Sequence, residues 1–187
     1  MDDFAYLSVL ISIVLGLGVT QLLSGVVALI RERRRARMYW PVPVWIVTLF
    51  LVHVQTWWAL FGLRGLQHWN FGGFVIVLMQ PVLLFVLSAL IVPALLQGEV
   101  IDLRRAYFRE ARWFFSILFA LLCVSLAKSL ALTGALPNSL DVGAHLVFIA
   151  LAVVGIAVEH HLVHEVLGPV ALVLYTAYII TLFTTLH

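Results

Sequence analysis

Long apolar stretches broken by short polar ones run the whole length of this chain. A bilayer core of about 30 Å needs roughly twenty apolar residues per helix. Six stretches meet that length, at about 4–30, 43–63, 74–96, 113–134, 142–158 and 166–186. The polar breaks between them are Arg31–Pro43, Arg64–Gly73, Gln97–Arg112, Ala135–Asp141 and Glu159–Glu165. The pattern predicts an all-α, polytopic membrane protein: one bundle of six transmembrane helices forming a single domain over residues 1–187.

Composition agrees. The chain is 64% hydrophobic and 11% charged, with a mean hydropathy of +1.12, against roughly 45–50% apolar and 25% charged in soluble domains. A nucleic-acid-binding role is excluded, because no soluble platform is left to carry a basic patch. One cysteine, Cys123, permits no intramolecular disulfide. The start, Met1-Asp2-Asp3-Phe4, lacks the positive region of a signal peptide, so the first span is expected to be retained as a helix.

Charge sets the expected orientation. Nine of the ten arginines fall in loops one and three, at Arg31–Arg37 and Arg104–Arg112, and only Arg64 falls on the other side. The positive-inside rule then puts both termini outside, with the protein multi-pass in the cell membrane, which is the inner membrane if the host is Gram-negative. Trp40, Trp45 and Trp113 are expected at the inner interface, and Trp57, Trp58 and Trp69 near the outer one. Arg31, Arg33, Arg34, Arg35 and Arg37 suit anionic lipid headgroups on the cytoplasmic face, at about 1 kcal/mol per basic residue. The third loop, from Val100 to Phe108, is expected to form an amphipathic turn along the surface. A 3+3 division would make the halves inverted in topology, but they share no convincing sequence similarity.

Small residues recur every fourth position along the first span: Ser8, Ser12, Gly16, Thr20, Ser24 and Ala28. Such a ridge lets another backbone approach closely, within the monomer or across an oligomer interface. Its hydroxyls, with Gln21 beside them, are alternatively a polar wall of a pathway. Shorter stripes occur at Ser125, Ser129, Thr133 and at Ala177, Thr181, Thr185. A homo-oligomer is expected, since six short helices enclose little volume.

Lys128, the single lysine, lies within an apolar span, and five of the six helices place a polar group in the same slab. His53 and Gln55 lie near the midplane, with Gln80 beside Pro81 at similar depth and Tyr175 and Tyr178 opposite. The proline frees a backbone carbonyl and predicts a kink there. No carboxylate shares the slab, so three outcomes stand for the amine. It snorkels toward Asp141 or water, it sits neutral because hydrocarbon disfavours charge, or its partner is an anion supplied by a ligand. The missing acid argues against a carboxylate-based proton or cation carrier.

Two histidine groupings raise metal chemistry. His53 is either an internally hydrogen-bonded histidine or a metal, haem or proton-relay residue, with His145 its only outer-leaflet companion. His160 and His164, four apart and flanked by Glu159 and Glu165, are either solvated loop residues or zinc ligands. No catalytic motif is visible, and no cofactor is specified. The leading expectation is a channel or carrier for an anionic species, with a polar site around Lys128. Its alternatives are a non-transporting scaffold, sensor or subunit assembled through the helix-one ridge, and a metal- or haem-binding protein.

Overall fold

Six apolar helices, each long enough to cross a membrane, make up nearly all of the structure, a computed structural model describing residues 3–65, 69–92 and 101–182. In chain order they are α1 (Asp3–Arg31), α2 (Pro41–Leu60), α3 (Phe71–Ile91), α4 (Leu103–Thr133), α5 (Ser139–Ala157) and α6 (His161–Leu182). The expected ends of the third and sixth spans, and Thr185, lie outside the described residues. A 3-10 turn, Phe61–Gly65, extends α2, with the Arg64 guanidinium stacked 3.8 Å over the Phe61 ring. Two two-residue strands, β1 (Ala36–Arg37) and β2 (Ile101–Asp102), pair in parallel and tie the first loop to the third.

The helices close a ring in the order α1, α3, α4, α5, α6, α2, and α2 also touches α3. Loops one, three and five gather at one end, where β1 meets β2 and Tyr39 and His164 both pack on Tyr107. The nine clustered arginines sit there, all exposed. This is the arginine-rich end, and the opposite one is the arginine-poor end.

Two of the expected boundaries are corrected. The segment read as the end of loop three is helix: α4 starts at Leu103 and runs 31 residues, about 46 Å at 1.5 Å per residue. Asp102 caps it, its Oδ1 accepting from the backbone N–H groups of Arg104 and Arg105 at 3.0 and 3.1 Å. Leu103, Tyr107, Ala111 and Phe115, four apart, are all buried and hold this turn-rich start to the bundle. The surface turn expected there is therefore the first turns of α4 itself. Likewise α6 begins at His161, so His161 to Glu165 is helical and only a short link follows α5. α3 and α5 are capped by the Asn70 and Asn138 side chains, which accept from the backbone N–H groups of Gly73 and Asp141. α3 continues through Pro81.

The arginine-rich half is filled by aromatic packing. Trp45, expected in an interfacial belt, is instead buried and meets Phe114 and Phe115 edge-on at 5.1 and 5.5 Å. Phe115 packs against His164 at 5.3 Å and into the space left by Gly155, where a Cβ would overlap its ring. A void among Val42, Leu103, Tyr107 and Phe114 measures only about 20 Å³.

α1 does not pack through its small-residue ridge. Its buried face is Ile11, Leu15, Gly18, Leu22, Gly25 and Leu29, spaced four and three apart, the alternation of a helix seam. Gly18 admits the His53 ring and Gly25 admits Val92; a Cβ at either glycine would overlap those side chains. Gly16, Thr20 and Ser24 face outward, and nothing lies within 4 Å of where a Gly16 Cβ would stand.

Candidate functional site

Toward the arginine-poor end the bundle opens into a cavity of about 290 Å³, near the lower end of the roughly 300–1,000 Å³ of small-molecule sites. Five helices line it. α4 contributes the hydroxyl stripe Ser125, Ser129 and Thr133 together with Lys128, so this stripe faces the cavity. Val52, Leu121 and Phe148 form apolar wall between the polar groups.

Lys128 donates to Gln80 Oε1 at 2.6 Å, and the Gln80 amide lies 3.5 Å from the Thr56 hydroxyl on α2. Gln55, also on α2, accepts from the Tyr175 hydroxyl of α6 at 3.2 Å. Tyr175 stacks on Tyr178 at a centroid distance of 5.7 Å and meets Phe148 edge-on. Lys128, Gln80, Gln55, Tyr175 and Tyr178 thus share one cavity, as the sequence slab suggested.

A carboxylate does face the cavity, and it is the one toward which the amine is expected to snorkel. Asp141, in the first turn of α5, lines the same cavity. Its Oδ1 accepts from the Tyr178 hydroxyl at 2.8 Å and lies 3.1 Å from His145 Nδ1. The same Nδ1 is 2.9 Å from the Asp141 backbone O, four residues earlier, and the other ring nitrogen is 3.0 Å from Ser125 Oγ on α4. The chain Tyr178–Asp141–His145–Ser125 therefore crosses from α6 through α5 to α4. The pairing of Asp141 with His145 one helical turn later is the signal in the sequence that marks this set.

His53 stands apart from the cavity. It is 1% exposed, and its Nδ1–H donates to Leu49 O at 2.8 Å. Its Nε2 has no hydrogen-bond partner and lies against the α1 backbone at Gly18. A metal or haem iron at that nitrogen would occupy the space held by α1.

The loop-five residues also separate. His164 is buried, with Nδ1 3.0 Å from the Tyr107 hydroxyl and Nε2 2.7 Å from Val158 O. His160 is exposed and stacks on His161 at 4.8 Å rather than facing His164. Glu159 is exposed and Glu165 half-buried. Among the described residues no three histidine, cysteine, aspartate or glutamate side chains converge to hold a metal ion.

At the same end, outside the spans, Tyr39 is buried, and among the described residues its hydroxyl has no hydrogen-bond partner. Burial first, and the Glu165 carboxylate second, push its phenol up to about 12, partly opposed by Arg104.

Ser8 and Ser12, with Trp57, Trp58 and Phe61, flank a groove on the outside of α1 and α2. The hydroxyls of Ser8 and Thr20 bond back to the α1 carbonyls of Ala5 and Gly16. They do not reach the cavity, so a pathway wall on α1 is not formed within one chain. No protein-family model matches this chain, and neither a curated protein nor a solved structure matches it.

Proposed function

We propose that this protein is a small membrane carrier that takes a solute with an anionic group into the cavity at the arginine-poor end, with Lys128 as anchor. The observation that carries this reading is an amine facing a largely apolar cavity of about 290 Å³, where among the described residues the neutral Gln80 is its hydrogen-bond acceptor. A lysine set in an apolar span and aimed into a cavity is a functional arrangement by default, because a charge there is costly without a purpose. The aromatic packing of Trp45, Phe114 and Phe115 supports a carrier over a standing pore, since it fills the half beyond the cavity. Gln80, Gln55, Tyr175 and Tyr178 orient the solute by hydrogen bonds.

In this reading the exposed arginines 31, 33, 34, 35 and 37 contact anionic headgroups on the cytoplasmic face, and the cavity opens outward. Flux in proteoliposomes, compared between the parent protein and Lys128→Met at matched reconstitution, is the test. Flux of inorganic anions, small carboxylates or carboxylate-bearing zwitterions that stops in the variant supports the carrier. Equal flux in both, or none in either, overturns it.

The outward ridge of α1 favours a second reading, an assembly module. Ser12, Gly16, Thr20 and Ser24 form a surface on which a helix from a second copy would fit closely. It carries no need for solute and is separated from the first reading by Gly16→Trp, which would dissociate an oligomer without touching the cavity.

A further inference from the structure

Two opposite charges face the cavity from different helices without meeting. Among the described residues Lys128 and Asp141 form no direct ion pair. Each is held by its own neighbours instead: the amine by neutral Gln80, the carboxylate by Tyr178 and His145. The amine of Lys128 carries three N–H donors and uses one on Gln80, leaving two. Among the described residues Asp141 Oδ1 takes both side-chain contacts of the carboxylate, and Oδ2 has none. Among the described residues an unfilled donor set and an unfilled acceptor therefore face the same cavity, whose wall also includes the apolar side chains Val52, Leu121 and Phe148.

This arrangement discriminates among ligands. With His145 neutral beside Asp141, a bare anion would satisfy Lys128 and be opposed by the carboxylate. A bare cation would meet the reverse. In a site of low dielectric such unbalanced charges are strongly disfavoured. A molecule carrying both charges on a short spacer completes both partners and adds no net charge.

We propose that the cavity binds a small zwitterion of the α-amino-acid class, its carboxylate on Lys128 and its ammonium on Asp141. This rests on the reading of Lys128 as the anchor for an anionic group. His145 and Tyr178 act as positioning residues that fix the Asp141 carboxylate so that Oδ2 points to the ammonium. A side chain on the ligand would lie along the apolar wall.

Thermal melting of the purified protein in detergent tests this. Each of the twenty common α-amino acids is added and, for any that stabilises, so are the matching carboxylate lacking the amine and amine lacking the carboxylate. At least one amino acid is expected to raise the melting temperature, with both analogues binding tenfold or more weakly. Asp141→Asn should abolish the preference for amino acid over carboxylate, and Tyr178→Phe should reduce it while keeping the carboxylate in place. The ligand comparison on the parent protein decides the matter even where a variant fails to fold. Equal binding of amino acid and plain carboxylate overturns the zwitterion and leaves the Lys128 carrier standing. No stabilisation by any of the twenty also overturns it. Carboxylate flux unchanged in Lys128→Met removes the underlying reading as well.

Discussion

His53 and Gly18 occupy one another's space: the buried imidazole lies where any side chain at Gly18 would have to stand. Its ring is held in that pose by the 2.8 Å bond from Nδ1 to Leu49 O. The α1–α2 crossing is therefore fixed by a glycine and a histidine together. Gly18→Ala is expected to cost about 1–3 kcal/mol by overpacking. Adding His53→Ala should recover part of that loss, because contacting pairs are not additive. Melting of the two single variants and the double would show it, and strictly additive losses would count against the contact.

Gly16 and Gly25 lie on the same helix and should behave oppositely. Gly25 abuts Val92, whereas Gly16 has open space. Gly25→Leu is expected to impair folding. Gly16→Leu should leave the melting temperature of the monomer unchanged, and any effect should appear as a shift in oligomeric mass by light scattering. A large loss of monomer stability in Gly16→Leu would mean that α1 is turned differently.

Tyr107 and His164 join α4 to α6 by a 3.0 Å hydrogen bond. Tyr107→Phe removes only that bond and should cost about 0.5–1.5 kcal/mol. His164→Ala also empties a ring packed against Phe108 and Phe115, so its cost should be larger, about 2–5 kcal/mol. Zinc should leave the melting temperature of the parent protein unmoved, since both His164 nitrogens are engaged. Stabilisation by zinc that is lost in His160→Ala would contradict that.

Tyr39 gives a pH dependence with a defined sign. Its phenol is raised from 10.0 to about 12, chiefly by burial and then by Glu165. The folded protein thus favours the neutral ring more than the unfolded chain does. This contribution is complete below pH 10 and is lost as pH rises toward 12. The ultraviolet titration difference between the parent protein and Tyr39→Phe should contain a phenol ionising near the upper value. One ionising at the ordinary tyrosine value would remove the argument.

Six helices were legible because a bilayer-length apolar run survives almost any packing arrangement. What escaped were choices between two faces of one helix. On α1, a stripe of small residues and the set Ile11, Leu15, Gly18, Leu22, Gly25, Leu29 both have helical periodicity, and only the second is buried. The start of α4 was hidden by Arg104, Arg105, Arg109 and Arg112, which read as loop. Yet Asp102 as a cap and the spacing Leu103, Tyr107, Ala111 carried the helical signal. The site was visible in part: Lys128, Gln80, Gln55 and the tyrosines do converge. Asp141 is legible only as an interfacial group toward which Lys128 could snorkel, and the turn of the chain after Gly134 is what brings α5 back to the Lys128 cavity. Gly134 ends α4 at φ 70°, a left-handed conformation that favours glycine.

The pairing of Ala36 with Ile101 and Arg37 with Asp102 has a consequence for how the protein is made. Those partners belong to different helical hairpins, so the clasp stays open until ribosome and insertion machinery have delivered α3 and the chain beyond it. The same clasp adjoins Asp102, the cap of α4, so its closure and the setting of that helix fall at one moment of synthesis. The clasp therefore cannot close before Asp102 has been made, when α1, α2 and α3 already stand in the chain and α4 is still to come.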